Sequence, residues 1–114
     1  MGNGQGATGG AVRVQAVSRR LIIRAVAQRE LDDAVAWYHA LEAGLDKRFL
    51  GEVQKTTRRI LENPSQFPRW GKLKRRAVIE VFPFTLHFRE EGDDIILLAV
   101  FNASRDPRQL LHRH

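Results

Sequence analysis

The run from Ile95 to Val100, IILLAV, constrains the fold of this chain more than any other stretch. It lies within a predicted strand from Asp94 to Phe101, and every one of its side chains is apolar. Successive side chains of a strand point to opposite faces of the sheet, so this strand needs apolar cover on both faces. One face must be covered by the domain itself. The other face requires the N-terminal extension, a second copy or a different polypeptide.

Two predicted helices provide the cover for one face. Apolar residues recur at helical spacing from Ala27 to Leu41, and Gly44 stands where a C-cap glycine would end this first helix. The second helix is predicted over 45–62, and Asn63-Pro64 ends it. Its apolar stripe consists of Leu45, Phe49, Val53, Thr56 and Ile60. Because the connection is short, the two helices should form an antiparallel hairpin.

The remaining apolar segments predict a sheet. Four strands are expected, over 21–26, 77–82, 84–89 and 94–101. Phe82-Pro83 interrupts the pattern as an edge strand or a bulge would, and Glu91-Gly92-Asp93 is a hairpin turn signal. The order strand, helix, helix, three strands predicts an α+β fold, in which a helical hairpin packs on one face of a mainly antiparallel sheet.

The length of 114 residues predicts one domain, which we place at residues 20–114. Residues 1–19 are interpreted as a disordered or loosely ordered extension, because the first ten contain five glycines and nothing that could bury surface. No apolar run is long enough to cross a bilayer, and no signal-peptide pattern is present. The chain has no cysteine, which excludes thiol chemistry. We therefore expect a cytoplasmic protein that does not bind membranes.

The net charge of +6 and the isoelectric point near 10.7 predict an anionic partner, either nucleic acid or an acidic protein. One basic cluster precedes the second sheet strand and comprises Lys72, Lys74, Arg75 and Arg76. A second cluster, with Arg105, Arg108 and Arg113, follows the last strand. The clusters would form one patch if strands 77–82 and 94–101 were antiparallel neighbours. Such a patch is either solvated charge at a sheet edge or a cradle for phosphate or carboxylate groups.

His87 is the one histidine placed to do chemistry, because it lies on the polar face of its strand near the first basic cluster. It is either a general acid or base or an ordinary surface histidine. The histidines lack metal-ligand spacing, so no metal is predicted. No Gly-rich phosphate loop or nucleophile elbow occurs, and no cofactor is expected. Trp70 is a weaker candidate for a binding contact.

Seven short segments of the chain resemble, in order, those of the RelE/ParE toxin superfamily of type II toxin–antitoxin systems. The segments are A-x-x-E-L-x-x-A at 27–34, W-Y at 37–38, G-L-x-x-x-F at 44–49, N-P-x-x-F-P at 63–68, R-R at 75–76, F-P-F at 82–84 and R-D-P at 105–107. The resemblance spans about residues 21–113 and is greatest to the ParE-like branch.

The resemblance implies a compact sheet that carries a helical hairpin, and a cognate antitoxin encoded nearby. An antitoxin segment would cover the exposed sheet, here at Ile96, Leu98 and Val100. Antitoxins of this kind are often acidic, which fits the basic charge of the chain. The pair would bind operator DNA only as a complex. Toxins of the ParE kind poison DNA gyrase, whereas those of the RelE kind cut messenger RNA in the ribosome.

Two positions favour the gyrase-directed branch. RelE-like enzymes often carry a tyrosine near the C-terminus, but the only tyrosine here is Tyr38 in the first helix. Thr85 stands where an RNA-cleaving relative could carry an arginine. We therefore interpret the chain as a non-enzymatic toxin that binds its target protein. The target-binding candidates are Lys72, Lys74, Arg75, Arg76, Arg105 and Arg108.

Two alternatives remain. The first is a metal-independent, ribosome-dependent endoribonuclease, for which the catalytic candidates are Arg75, Arg76, His87 and Arg105. The second is an inactive relative that still pairs with its antitoxin. This alternative arises because residues 101–104, Phe-Asn-Ala-Ser, replace the histidine and extra basic residue that the family often has before R-D-P.

Overall fold

The computed structural model describes residues 19–104. Its elements follow the predicted order: β1 (Arg20–Ile23), α1 (Ala25–Leu41), α2 (Leu45–Glu62), a 3₁₀ turn (Pro64–Gln66), β2 (Arg75–Val78), β3 (Phe84–Glu91) and β4 (Asp94–Asn102). The predictions for the N-terminal extension up to residue 18, and for Arg105, Arg108 and the R-D-P segment, lie outside the described residues. Neither helix within 19–104 combines the length and the apolarity that a membrane span requires.

The four strands form one sheet in the order β1-β4-β3-β2. β1 pairs with β4 in parallel, whereas β4 with β3 and β3 with β2 are antiparallel. The prediction of a mainly antiparallel α+β sheet is therefore confirmed. β4, which contains the apolar run, lies inside the sheet and is hydrogen-bonded to a strand on each side.

The hydrophobic core lies between the helical hairpin and one face of the sheet. α2 buries Phe49, Val53, Thr56 and Ile60, as its predicted stripe requires. The Phe49 ring lies 5.1 Å from the Tyr38 ring and 5.0 Å from the Phe84 ring, measured between centroids. Tilted and edge-on aromatic pairs at these distances stabilise a core beyond their buried area. This aromatic cluster attaches the hairpin to the sheet.

The boundary between β1 and α1 lies earlier than the sequence predicts. The N–H of Arg24 donates to the carbonyl oxygen of Leu97 at 3.1 Å, which is the last bond joining this segment to β4. The carbonyl oxygen of Arg24 then accepts from the N–H of Gln28 at 2.9 Å and starts α1. The strand predicted to run to Val26 is therefore wrong after Ile23, because helical hydrogen bonding begins as soon as the sheet bonding ends.

Gly44 serves the second helix and not the first. α1 ends at Leu41, and its C-cap is Glu42, whose N–H donates to the carbonyl oxygen of Tyr38 at 3.1 Å. Gly44 has φ +89° and is the N-cap of α2. Its assignment as the C-cap of α1 is wrong. The glycine is still needed, since a side chain would strain this left-handed conformation in the hairpin turn.

β2 begins at Arg75, two residues before the predicted start at Ala77, and ends at Val78 instead of Phe82. The N–H of Ile79 donates to the carbonyl oxygen of Phe84 at 2.9 Å. The N–H of Phe84 donates to the carbonyl oxygen of Phe82 at 2.8 Å. These bonds fold residues 79–83 into a tight connection in which Val81 has φ +74°. β2 is an edge strand, in agreement with the interruption predicted at Phe82-Pro83.

Candidate functional site

We call the face of the sheet that points away from the helices the outer face. A bulge in β4 determines which side chains of this strand lie on it. His87 pairs with Ala99 and Phe88 pairs with Leu97, so Leu98 is an extra residue between two pairs. The alternation of side chains is therefore inverted beyond Leu98. Val100 is 3% exposed and belongs to the core between sheet and helices.

Ile96 and Leu98 lie outside that core, on the outer face. Val100 was predicted to lie with them under the antitoxin, and its placement on an exposed face is wrong because of the bulge. The expectation of a bare apolar face is also wrong at Ile96, which is only 6% exposed. Its neighbours across the sheet are Ile22 on β1 and Arg89 on β3. The exposed apolar surface at this position is that of Ile22, which is 39% exposed.

Arg76, Trp70 and His87 form a basic and aromatic group on the outer face. Arg76 pairs across the sheet with His87, and its guanidinium carbon lies 5.0 Å from the centroid of the Trp70 ring. The Trp70 ring in turn lies 5.3 Å from the His87 ring, edge to face. Phe101 continues this row, with its ring 6.0 Å from that of His87. A cation held over an exposed indole remains available to an anionic partner.

Arg75 lies on the opposite face from Arg76, because neighbouring residues of a strand alternate. Its Nη1 atom donates to the carbonyl oxygen of Phe67 at 2.7 Å, and its Nε lies 3.8 Å from a carboxylate oxygen of Glu90. Its side chain is only 19% exposed. Arg75 therefore holds the segment before β2 against the sheet. Arg75 was predicted to form one basic cluster with Arg76, but in the structure the two side chains lie on opposite faces of the sheet.

Lys72 and Lys74 are exposed in the segment that leads into β2. They border a shallow cavity of about 200 Å³ whose other lining residues are Arg69, Leu73, Arg75 and Glu90. Three of the four predicted cations of the first cluster, Lys72, Lys74 and Arg76, are thus exposed along the β2 side of the sheet. Their role in target binding remains a prediction.

The two basic clusters were predicted to form one patch if the second and the last strand were antiparallel neighbours, and the structure shows that they are not. β3 separates β2 from β4, and both run antiparallel to β3, so β2 and β4 point in the same direction. The start of β2 at Arg75 is level with Leu97, through their shared partner Phe88. β4 ends at Asn102, opposite the first residue of β3. Whether Arg105 and Arg108 reach the first cluster concerns residues outside 19–104.

His87 lies among groups that lower its pKa. Partial burial has the largest effect, followed by the positive charges of Arg76 and Lys74. The Nε2 atom lies 3.0 Å from the hydroxyl oxygen of Thr85, so this ring nitrogen already has a partner. The ring is consequently neutral at neutral pH. The only tyrosine, Tyr38, is 8% exposed within the aromatic core and cannot act beside His87.

Replacing Arg76 by glutamine should raise the pKa of His87 towards its ordinary value of 6.5, because one repelling charge is removed while burial persists. An NMR pH titration of the ring protons measures this change, with Arg58→Gln on the exposed side of α2 as control. The folded chain binds this proton less readily than the unfolded chain. The free energy of unfolding should therefore fall as the pH drops below 6.5 towards the lower folded pKa, and less so in Arg76→Gln. A wild-type pKa at or above 6.5 would contradict the geometry.

Two contacts had no signal in the sequence. The Oε1 atom of Glu30 on α1 accepts a hydrogen bond from the N–H of Val100 at 2.8 Å, at a point where β1 has already ended. β1 pairs with β4 only as far as Leu97, so the N–H of Val100 has no partner on β1 and is bonded by Glu30 instead. Phe101 joins the outer face only because of the bulge. Within residues 19–104, no group of three or more His, Asp or Glu side chains is arranged to hold a metal ion.

The hairpin on one face of a mixed four-stranded sheet is the fold of RelE/ParE-like toxins. The sequence matches the model of the ParE toxin of type II toxin-antitoxin system, parDE, over residues 21–107. The chain therefore belongs to the ParE toxin family of type II toxin–antitoxin systems. A solved structure, the chromosomal ParDE TA system from P. aeruginosa, has a similar fold, with a TM-score of 0.63 and 21% identity over 75% of this chain and 97% of that one. No curated protein matches the chain.

Proposed function

We propose that this chain acts by binding and inhibiting DNA gyrase in the bacterial cytoplasm, and that a cognate antitoxin neutralises it. The observation that carries this proposal is the match to the ParE toxin model over residues 21–107. No catalytic step is part of the mechanism. Inhibition results from binding to the target protein, which the chain contacts through its exposed cations on the outer face and along the β2 side of the sheet.

The exposed cations and the exposed indole ring of the site support a protein target. Lys72, Lys74 and Arg76 are exposed, and Trp70 contributes a partly exposed ring beneath the Arg76 guanidinium. Arginine and tryptophan are enriched among the residues that contribute most to protein–protein binding, and the charges steer an acidic partner towards the site. Arg105 and Arg108 stay in this proposal on the sequence alone.

The antitoxin is proposed to cover the outer face near β4 and β1. Ile22, Ile96 and Leu98 supply an apolar strip there, and Ile22 and Ile96 are direct partners across the β1–β4 pair. A segment laid over this strip would bury the part of Ile22 that is exposed. Binding of operator DNA is proposed only for the toxin–antitoxin complex.

A ribosome-dependent endoribonuclease is the second candidate, and one observation favours it. A His87 ring that is neutral at neutral pH lies directly across the sheet from Arg76, so a proton acceptor and a phosphate-binding cation are neighbours. Against this candidate, the chain has no tyrosine near that pair, since Tyr38 lies in the core.

Induction in cells that lack the antitoxin separates the candidates. If the chain inhibits gyrase, a reporter plasmid should lose negative supercoils while the ends of translated messages stay unchanged. New ends within translated messages, on a plasmid of normal topology, would instead establish the endoribonuclease. Normal growth with both readouts unchanged would identify an inactive relative, and it would contradict the proposal.

A further inference from the structure

The edge strand β2 and its flanks carry an unusual concentration of exposed apolar side chains. Among residues 19–104, the three large apolar side chains with the greatest exposure are Leu73 at 78%, Val81 at 76% and Val78 at 63%. Trp70, in the same stretch, is 38% exposed. We call these four residues the β2 edge surface. Trp70 and Leu73 precede β2 and Val81 follows it, so the four residues lie along one edge of the sheet. Large exposed apolar groups along a single sheet edge indicate an interaction site.

Val81 has a backbone conformation that valine adopts at a cost. Its φ of +74° lies in the left-handed region, which branched side chains disfavour strongly and glycine adopts readily. Its neighbours hold it there, because Ile79 and Phe82 are buried and the N–H of Ile79 is bonded to the carbonyl oxygen of Phe84. The Val81 side chain itself is mostly exposed, so packing within the chain does not account for valine at this position. Strain of this kind is typical of binding sites.

The segment that carries the β2 edge surface is rich in positive charge, although one of its cations, Arg75, faces the other side of the sheet and is paired with Glu90. From residue 69 to residue 81 the chain has one acidic residue, Glu80, and five cations: Arg69, Lys72, Lys74, Arg75 and Arg76. The Glu80 carboxylate already lies 3.7 Å from the Nζ atom of Lys55 on α2. An apolar centre with a charged rim is the usual composition of a protein–protein interface. The sign of this rim selects an acidic partner.

The β2 edge surface is separate from the strip proposed for the antitoxin. β2 forms one edge of the sheet, whereas Ile22 lies on β1 at the other edge and Ile96 lies on β4 beside it. With strands spaced about 4.8 Å apart, β4 lies roughly 10 Å from β2. One partner can thus occupy the β4 side while the β2 edge contacts another.

From these observations we infer that the β2 edge surface, with Val81 at one end of it, is where the chain contacts its target, an acidic protein surface with an apolar centre. This inference rests on the proposed function and specifies its binding site. Val81 is then a contact residue whose side chain is retained despite its backbone strain. Leu73 and Val78 extend the apolar contact, and Lys72, Lys74 and Arg76 provide the rim.

Val81→Gly gives a sharp test, because it removes the side chain and relieves the strain together. The variant should fold with a melting temperature equal to or above that of wild type and bind the co-expressed antitoxin within about twofold of wild type. Inhibition of growth and of gyrase supercoiling should each require roughly tenfold more toxin. Val81→Ile should retain inhibition. Leu41→Ala, at an apolar residue 58% exposed on α1, is the matched control and should change neither readout.

The other outcomes count against the inference or against the proposed target. Full inhibition by Val81→Gly, or an equal loss of antitoxin affinity, would overturn it. So would a wild-type dimer in light scattering that Val81→Gly converts to a monomer, because the surface would then bind a second copy. A wild-type chain that arrests growth without affecting gyrase removes the proposed target alone, and the growth readout of Val81→Gly still decides the inference. A wild-type chain that leaves growth unaffected contradicts both.

Discussion

Phe49→Ala is expected to lower the free energy of unfolding by about 3–5 kcal/mol. Phe49 is fully buried, at 0% exposure, and its ring contacts the rings of Tyr38, Phe82 and Phe84. Removal of the ring leaves a cavity between the hairpin and the sheet, and the three neighbouring aromatic rings lose a packing partner, which for Phe82 is edge-to-face. Native stability is typically about 5–15 kcal/mol, so this one substitution would remove from about a fifth to nearly all of it.

Urea denaturation followed by circular dichroism measures this loss. Leu41→Ala on the exposed side of α1 is the control and should stay within about 0.5 kcal/mol of wild type. A loss of less than about 1.5 kcal/mol in Phe49→Ala would mean that the hairpin does not pack on the sheet through this cluster.

Leu97→Ala and Leu98→Ala should differ in which property they impair most, stability or antitoxin binding, although the two leucines are neighbours. Leu97 is 1% exposed and faces the helices, so its truncation should cost about 2–5 kcal/mol of unfolding free energy. Leu98 is half-buried at the bulge and lies outside the core, so its truncation should cost less. Because Leu98 lies on the strip proposed for the antitoxin, Leu98→Ala should weaken antitoxin binding. Leu97→Ala should not, provided that it is measured well below its melting temperature.

Denaturant titrations give the two stabilities, and isothermal titration calorimetry with the antitoxin gives the two affinities. Equal losses of stability in both variants would mean that Leu98 lies in the core, which would contradict the bulge at this position. Wild-type antitoxin affinity in Leu98→Ala would remove this part of the outer face from the proposed antitoxin surface.

The elements of the fold could be predicted because each rests on a local pattern. The stripe from Leu45 to Ile60 gave α2 its observed bounds, since helical spacing and the Asn63-Pro64 stop agree. The last two strands were placed to within two residues, because Gly92 with φ +61° fixes the turn between them. The predicted ends of elements were wrong where a hydrogen bond between residues far apart in the sequence determines them. β1 ends where Arg24 makes its last bond to Leu97, and no local pattern contains that information.

The candidate site was less predictable, because it depends on sheet order and register. The composition identified the cations but not their faces, and Arg75 and Arg76 prove to lie on opposite sides of β2. The bulge at Leu98 moved Val100 into the core and Phe101 to the outer face, and a sequence alone does not reveal a bulge. The strain at Val81 was equally hidden, since a strand was expected there.

The measurement that tests the central claim most directly is supercoiling of relaxed plasmid by purified gyrase, titrated with the purified chain with and without its antitoxin. We expect supercoiling to fall as the toxin concentration rises, and an equimolar amount of antitoxin to restore it. Supercoiling that remains undiminished at saturating toxin would contradict the account.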